Sequence, residues 1–144
     1  MKRTLLIAAT TAALLSVSSL GASANDAFFE QFGNRNTVGG SQNGVYNLIG
    51  VIQSGRFNNS VSVQDGARNE AAIGQTGARN EVFTNQRGGR NKAGAGQFGR
   101  GHKSEIRQRG RNNVAASVQV GNNCNANVTQ TGEGNVSAIV QTCP

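Results

Sequence analysis

Side-chain amides are the groups in this sequence that could do chemistry, because they stand on a regular grid. Glutamine occurs eleven times, always eleven residues apart, and nowhere else in the chain. An amide offers hydrogen-bond donors and acceptors, so identical amides that stack on one another can form continuous ladders. The spacing therefore predicts a structural use for Gln31, Gln42, Gln53, Gln64, Gln75, Gln86, Gln97, Gln108, Gln119, Gln130 and Gln141.

Each glutamine begins a repeated unit of the form Gln-x-Gly-x-x-Asn. Glycine stands two positions after ten of the glutamines, and Cys143 takes that place after the last. We expect these glycines to lie in chain reversals, because glycine adopts positive φ without steric cost. They are Gly33, Gly44, Gly55, Gly66, Gly77, Gly88, Gly99, Gly110, Gly121 and Gly132.

Asparagine fills the sixth position of the unit, and we expect it to join the amide ladders. His102 and Cys124 replace it in two units, and Asn25 holds the same phase before the first glutamine. The asparagines of the grid are Asn25, Asn36, Asn47, Asn58, Asn69, Asn80, Asn91, Asn113 and Asn135.

The two cysteines, Cys124 and Cys143, both replace a residue of the repeat and stand 19 residues apart. Cys143 is expected to stack above Gly121, three residues before Cys124. A disulfide between the cysteines is geometrically possible, and free thiols or a bridge between two chains remain alternatives. The one histidine, His102, is expected to lie away from both cysteines, which argues against a metal site.

Catalysis has no support in the sequence. The chain contains no HExxH motif, no P-loop and no nucleophile elbow. Its carboxylates fall at positions expected to face outward or to lie in links, so no inward acid–base pair is predicted. We therefore expect a protein that is not an enzyme and that has no cofactor and no small-molecule substrate.

Positive charge is concentrated in the second half of the chain. The whole sequence has a formal net charge of +7, and residues 87–111 alone hold eight basic residues and one acidic residue. This patch is either plain solvated charge or a surface that binds an anionic polymer such as DNA or polysaccharide. Its members are Arg87, Arg90, Lys92, Arg100, Lys103, Arg107, Arg109 and Arg111.

The elements that position these residues are predicted to be strands. An eleven-residue period also fits a helical coil, but glycine recurs in all units but the last, and five of the six leucines lie in the first twenty residues. Between asparagine and glutamine the residues alternate, with uncharged side chains on the amide face and every strand charge on the other face.

The predicted fold is an all-β solenoid of about five and a half rungs, each of about 22 residues, stacked about 4.8 Å apart. In each rung, two strands of about seven residues, each running from Asn to Gln, are joined by four-residue links. Residues 1–24 are predicted to form a Sec signal peptide, with Lys2 and Arg3 before an apolar run and Ala22-Ser23-Ala24 as the cleavage pattern. The exported solenoid would then comprise residues 25–144.

Paired Asn-x5-Gln strands on a 22-residue rung behind a secretory signal resemble the curlin repeat of curli subunits, the extracellular functional amyloid of bacterial biofilms. The resemblance implies a subunit that leaves the cell through a dedicated outer-membrane pore and polymerises at the surface on a partner curlin subunit that acts as nucleator. It assigns the ladder to the motif residues from Asn25 and Gln31 to Asn135 and Gln141.

Two function classes follow. The last predicted strand, residues 135–141, has no charge or proline to prevent strand addition, and charges in the middle strands resemble gatekeepers that slow aggregation. These features favour a self-assembling curli-type fibre subunit, of the major type rather than the nucleator, in an extracellular fimbrium that supports biofilm and cell adhesion. The alternative is a discrete secreted solenoid that binds anionic surface polymers.

Overall fold

The computed structural model describes residues 24–144, which form eleven β-strands. Within this range, no helix has the length and hydrophobicity needed to span a membrane. The predicted signal peptide, apart from Ala24, lies outside the described residues. The strands are β1 (Asp26–Asn34), β2 (Thr37–Val45), β3 (Leu48–Arg56), β4 (Asn59–Ala67), β5 (Glu70–Ala78), β6 (Glu81–Gly89), β7 (Lys92–Arg100), β8 (Lys103–Arg111), β9 (Val114–Asn122), β10 (Asn125–Glu133) and β11 (Val136–Cys143).

Every strand runs parallel to its neighbours and pairs with the strand two places along the chain. The odd-numbered strands form a six-stranded sheet in the order β1-β3-β5-β7-β9-β11, and the even-numbered strands form a five-stranded sheet from β2 to β10. Paired residues are 22 positions apart, as Gln53 and Gln75 are. Two consecutive strands therefore make one rung, and the protein is the β-solenoid that the glutamine spacing predicts.

Alternate side chains of each strand point into the space between the two sheets. In β3, Ile49, Val51 and Gln53 are buried, whereas Leu48 and Ile52 are exposed. The buried side chains form a thin core that runs along the axis, and it consists of Ile49, Val51, Ala71, Ile73, Val82, Ala93, Ala95, Ile106, Ala115 and Val128. The buried face is the uncharged face that the sequence pattern indicates.

The strands are longer than predicted and the links are shorter. Each strand begins one residue after the grid asparagine, and β4 continues for three residues beyond Gln64, so the link to β5 consists of Arg68 and Asn69 alone. The prediction of seven-residue strands and four-residue links was wrong because strand pairing does not stop at the bend. Gly55, beyond the glutamine of its strand, still pairs in register with Gly77.

The bend itself is made by the glycine after each glutamine. Gly88 has a φ of 116°, and all ten of the glycines predicted to lie in chain reversals have positive φ. A Cβ atom on Gly88 would overlap the backbone carbonyl oxygen of Gly110 in the next rung. The glycine is thus required for its conformation and for the close stacking of successive rungs.

Candidate assembly site

Glutamine side chains form two continuous ladders inside the solenoid. Nε2 of Gln64 donates to Oε1 of Gln86 at 2.8 Å and to the backbone oxygen of Leu48, on the facing sheet, at 2.9 Å. The amide-to-amide bond repeats from rung to rung with lengths of 2.6–3.0 Å. Each glutamine therefore connects its rung to the next one and also connects the two sheets.

Asparagine side chains close the corners between strands. Nδ2 of Asn69 donates to the backbone oxygen of Gly88 at 3.1 Å, and Oδ1 of Asn69 accepts the backbone N–H of Asn91 at 3.1 Å. Both bonds lead to the following rung. They satisfy backbone groups that the bend removes from the regular strand ladder, and an unsatisfied buried backbone group would be costly.

The residue before each corner asparagine has a left-handed backbone, which the sequence analysis did not anticipate. Phe57 has a φ of 59°, and its N–H donates to the oxygen of Asn34 in the preceding rung at 3.0 Å. A signal was present, because this position holds glycine or asparagine in four units, and both tolerate positive φ. The residues other than glycine with this backbone are Arg35, Tyr46, Phe57, Arg68, Arg79, Arg90, Asn112 and Asn123.

Both ends of the solenoid present an open strand edge. β10 and β11 are the last strands of the two sheets at the carboxyl end, and β2 and β1 are the last strands at the amino end. The side chains of Val136 and Val140 on β11 are 77% and 75% exposed. No other strand within residues 24–144 pairs with the outer edges of β10 and β11, so their backbone groups are available to a further strand.

Comparison with known protein families identifies the repeated unit. The model of the curlin associated repeat matches residues 77–108 and 105–132. Residues 77–132 thus match the curlin repeat. Residues 25–76, outside the two matches, follow the same grid of glutamine, glycine and asparagine and have the same positive-φ corners. Comparison with curated proteins and with solved structures gives no match.

Curlin repeats on a β-solenoid indicate a structural protein of the curli type rather than an enzyme. Such a protein acts through its surfaces and ends. The amide ladders, the open edges and the charged outer faces are therefore the features through which such a protein would act.

Two of the curlin repeats replace the corner asparagine, and the structure brings the two replacements together. Nδ1 of His102 accepts the backbone N–H of Cys124 at 3.2 Å, and Nε2 of His102 lies 3.1 Å from the backbone oxygen of Phe98. Because the N–H can only donate and the oxygen can only accept, the ring proton is on Nε2. His102 thus accepts the backbone N–H of the following rung as Asn69 does, and its second bond goes to the oxygen four residues earlier, as a bond of Asn91 to Arg87 does.

The expectation that His102 lies away from the cysteines was wrong. Residues 22 positions apart stack directly in this fold, so His102 is the neighbour of Cys124 in one corner column. Within residues 24–144, three or more side chains able to ligate a metal do not come together anywhere.

A disulfide joins Cys124 to Cys143, with their Cα atoms 5.7 Å apart. Cys143 pairs in register with Gly121, so it reaches the corner that contains Cys124. Neither of the described cysteines is free. The bond ties the last strand, β11, to the corner between β9 and β10.

Acidic and basic side chains form pairs on the outer faces of the curlin repeats. Nζ of Lys92 lies 3.1 Å from Oε2 of Glu70 on the neighbouring strand. The other pairs are Lys103 with Glu81, Arg87 with Asp65, and Arg107 with Glu105. Such exposed pairs each contribute less than about 1 kcal/mol to stability. Four of the eight residues of the predicted basic patch are therefore partly neutralised within the chain.

The other patch residues do not share one surface. Arg90 directly follows β6 and Arg111 ends β8, both at the edge where the even-numbered strands end, whereas Arg100 ends β7 at the opposite edge and Arg109 lies within β8. Arg90 and Arg111, together with Arg68, line a cleft of about 440 Å³ beside Gly88 and Gly89. We call these three residues the arginine cleft. The sequence did not assign Arg68 to the basic patch, because it precedes residues 87–111 in the chain. In the fold it lies one rung before Arg90 and lines the same cleft.

Proposed function

We propose that the protein is a structural subunit of an extracellular curli-type functional amyloid fibre, which grows by addition of strands to the open edge of the solenoid. The observation that supports this most strongly is the open outer edge of β10 and β11 within the described residues. β11 has two exposed valines on its outer face, Val136 and Val140, no charged residue and an unpaired backbone edge. A second chain of the same repeat could continue both the strand ladder and the glutamine ladders.

The major subunit is favoured over the nucleator. Four basic side chains of the middle strands are paired within the chain, as Lys92 is with Glu70, so part of the charge on these outer faces is neutralised internally. The end strand β11, by contrast, is uncharged. The chain thus has an uncharged end strand that can bind another copy, and middle strands whose charges are partly paired. This arrangement suits a subunit that adds repeatedly to copies of itself.

The remaining steps of this proposal concern export and location. Residues 1–24 would act as a Sec signal peptide, and residues 25–144 would be the exported chain. The chain would then cross the outer membrane through a secretion pore and assemble at the cell surface on a partner curlin subunit. The resulting fimbrium would support biofilm matrix, cell adhesion and aggregation, with the amide and glycine positions of every unit serving the amyloid ladder.

A time course of thioflavin T fluorescence on purified residues 25–144, with and without preformed seeds, tests the fibre function. We expect a lag phase that seeds remove, and fibrils with a reflection near 4.7 Å along the fibre axis. Lag-free assembly that also seeds a second curlin would move the protein to the nucleator role. A chain that stays monomeric with a β-type circular dichroism spectrum would contradict the fibre function.

A second function is favoured by the arginine cleft. Three arginines of successive rungs line one cleft together with Gly88 and Gly89, and Glu133 stands beside Arg111 on the next strand. This arrangement suits contacts to an anionic polymer such as DNA or polysaccharide. The variant R68Q/R90Q/R111Q should lower DNA affinity at least about tenfold and flatten its salt dependence.

The matched control removes the same charge from the opposite edge, in the variant R35Q/R56Q/R100Q. If both variants lose the same affinity, binding reflects net charge alone and the cleft is not a site.

A further inference from the structure

The strands that project at the two ends of the solenoid, β1 and β11, belong to the same sheet, because the described chain has an odd number of strands. At the carboxyl end, the even-numbered sheet ends at β10 and the odd-numbered sheet ends at β11. β11 therefore stands half a rung beyond β10 along the axis. At the amino end β1 stands half a rung before β2 in the same way. Each end thus has one projecting strand and one recessed strand.

We propose that successive copies in the fibre join with a half-rung offset, so that β1 of the added copy pairs with β10 and its β2 pairs with β11. This inference rests on the fibre function proposed above. The projecting strand of each copy then fills the recess of the other. Each copy is therefore rotated by about half a turn around the fibre axis relative to the copy before it. Along one sheet of the fibre, the odd-numbered strands of one copy are followed by the even-numbered strands of the next copy.

The full-rung alternative places β1 of the added copy on β11. Both projecting strands then meet, and a space one strand wide remains between β10 and the added β2. The outer edge of β10, nine residues long, would keep its backbone groups unpaired inside the fibre. The half-rung joint leaves no such gap.

The glutamine ladders fix the polarity of the joint. Nε2 of Gln130 donates to the oxygen of Val114 at 2.9 Å, but its second N–H has no later glutamine within the described residues. Gln141 likewise donates to the backbone oxygen of Asn125, and its second N–H has no later glutamine within the described residues. At the amino end, Gln31 and Gln42 donate along the ladder and receive no amide N–H on Oε1. Donors therefore end the ladders at one end and acceptors at the other.

A head-to-tail joint satisfies both ladders, whereas two carboxyl ends in contact would bring donor to donor. In the half-rung joint, Gln31 of the added copy lies on Gln130, and Gln42 lies on Gln141. Their positions continue the eleven-residue spacing without interruption.

Side chains at the two ends also favour the half-rung offset. It places the outward carboxylates of the added copy over polar residues, with Asp26 over Asn125 and Glu30 over Thr129. The full-rung offset places the same carboxylates over Val136 and Val140, the two most exposed valines. Burying a carboxylate against an apolar side chain without a partner is unfavourable.

The interior of the joint is complementary as well. In the first rung, Phe29 faces Gly40 so closely that a Cβ on Gly40 would lie 2.9 Å from the ring. The half-rung offset places Phe29 over Val128 and Gly40 over Ile139. The ring of Phe29, 41% exposed in the single chain, then extends over the isoleucine in the space that the glycine leaves.

Pairs of cysteines distinguish the two offsets in assembled fibres. Outward residues paired in register lie about 4.8 Å apart at Cα, within the range of a disulfide. Fibres of E30C/T129C should give intermolecular 30–129 disulfides on oxidation, visible as a ladder of multimers on a non-reducing gel after the fibres are dissolved. The matched control E30C/V140C reports the full-rung offset and should remain monomeric, with peptide mapping to assign every bond.

Fibres that cross-link only through positions 30 and 140 would overturn the half-rung joint and leave the fibre function intact. Helical reconstruction of unsubstituted fibres gives the same answer without cysteines. The half-rung joint requires an axial rise of about 26 Å per copy with a rotation close to half a turn beyond the twist of the solenoid itself. A rise of about 29 Å without that rotation contradicts it. If the unsubstituted chain forms no fibres, the proposed function and this inference both fail.

Discussion

His102 and Cys124 occupy consecutive places in one corner column, and the backbone N–H of Cys124 donates to Nδ1 of His102. The imidazole thereby accepts the N–H that the oxygen of an asparagine side chain accepts in the other corners. The column below it contains Asn80, whose Oδ1 accepts the N–H of His102 at 3.1 Å.

The substitution H102N should leave stability within about 1 kcal/mol of the unsubstituted chain, because asparagine restores the usual corner bonds. H102A should cost about 2 kcal/mol, because the N–H of Cys124 and the oxygen of Phe98 lose their partner in a buried corner. The midpoint of guanidinium unfolding, followed by circular dichroism, measures both. Equal loss in the two variants would show that the ring contributes packing rather than hydrogen bonds.

Removing the disulfide with C124S/C143S should loosen β11 selectively. The bond closes a loop of 19 residues, for which about 3 kcal/mol of stabilisation is expected. Hydrogen exchange should become faster in β11, while β5 and β6 in the middle of the solenoid keep their protection. Uniformly faster exchange along the chain would instead mean that the bond stabilises the whole fold.

The substitution G88A should destabilise the solenoid by more than about 2 kcal/mol, because alanine strains a backbone with positive φ and its Cβ overlaps the oxygen of Gly110. G74A is the matched control, since no atom lies within 4 Å of a Cβ placed on Gly74. Thermal unfolding compares the two variants. If they unfold at the same temperature, the corners are more adaptable than the structure indicates.

Replacing one ladder amide with an apolar residue of similar size, in Q86L, should cost about 3 kcal/mol. The oxygen of Glu70 and the amides of Gln64 and Gln108 would each lose a bond in a buried site. N85L, which alters the adjacent outward side chain, serves as the control. The prediction fails if the guanidinium midpoints of Q86L and the control agree.

Ser104 offers the opposite case, because its buried hydroxyl has no hydrogen-bond partner within the described residues. S104A should raise the free energy of unfolding by about 1 kcal/mol, since it removes the desolvation cost of an unsatisfied hydroxyl. S54A, at an outward and partly exposed position, should have no effect. A loss of stability in S104A would show that this hydroxyl has a partner, such as a bound water.

Sequence periodicity predicted much of the fold, because a constant spacing forces a constant register. Gln53 and Gln75 pair since they hold the same place in successive rungs, and Ile49 is buried since it shares their face. The strand ends were mispredicted because the unit shows where the chain bends but not that pairing continues through the bend. The left-handed backbone of Phe57 is held by a bond that its N–H donates to another rung, and phenylalanine itself does not favour that backbone; the signal lay in the glycine or asparagine at the same position of four other units.

The arrangement of charge was accessible in principle. Lys92 and Glu70 are 22 residues apart, so the predicted rung length already placed them in contact. Counting charge along a segment treated residues 87–111 as one surface, whereas the fold distributes consecutive residues over two faces and two edges. The neighbouring position of His102 and Cys124 follows from the same 22-residue rule.

Gly132 is the corner glycine of the last strand in its sheet. A Cβ on the inner glycine Gly110 would overlap a carbonyl oxygen of the next rung, but on Gly132 the nearest atom is Nδ2 of Asn135 at 3.5 Å. The space above Gly132 is empty until another strand arrives. Glycine is thus required at Gly110 for space and at both positions for the positive φ, and in the proposed fibre the arrival of the next strand would make the same demand on space at Gly132. In an isolated molecule, a side chain at Gly132 would have enough space, so selection would have little reason to exclude it on that ground. In a polymer, the strand of the next copy would occupy that space, so selection would exclude it.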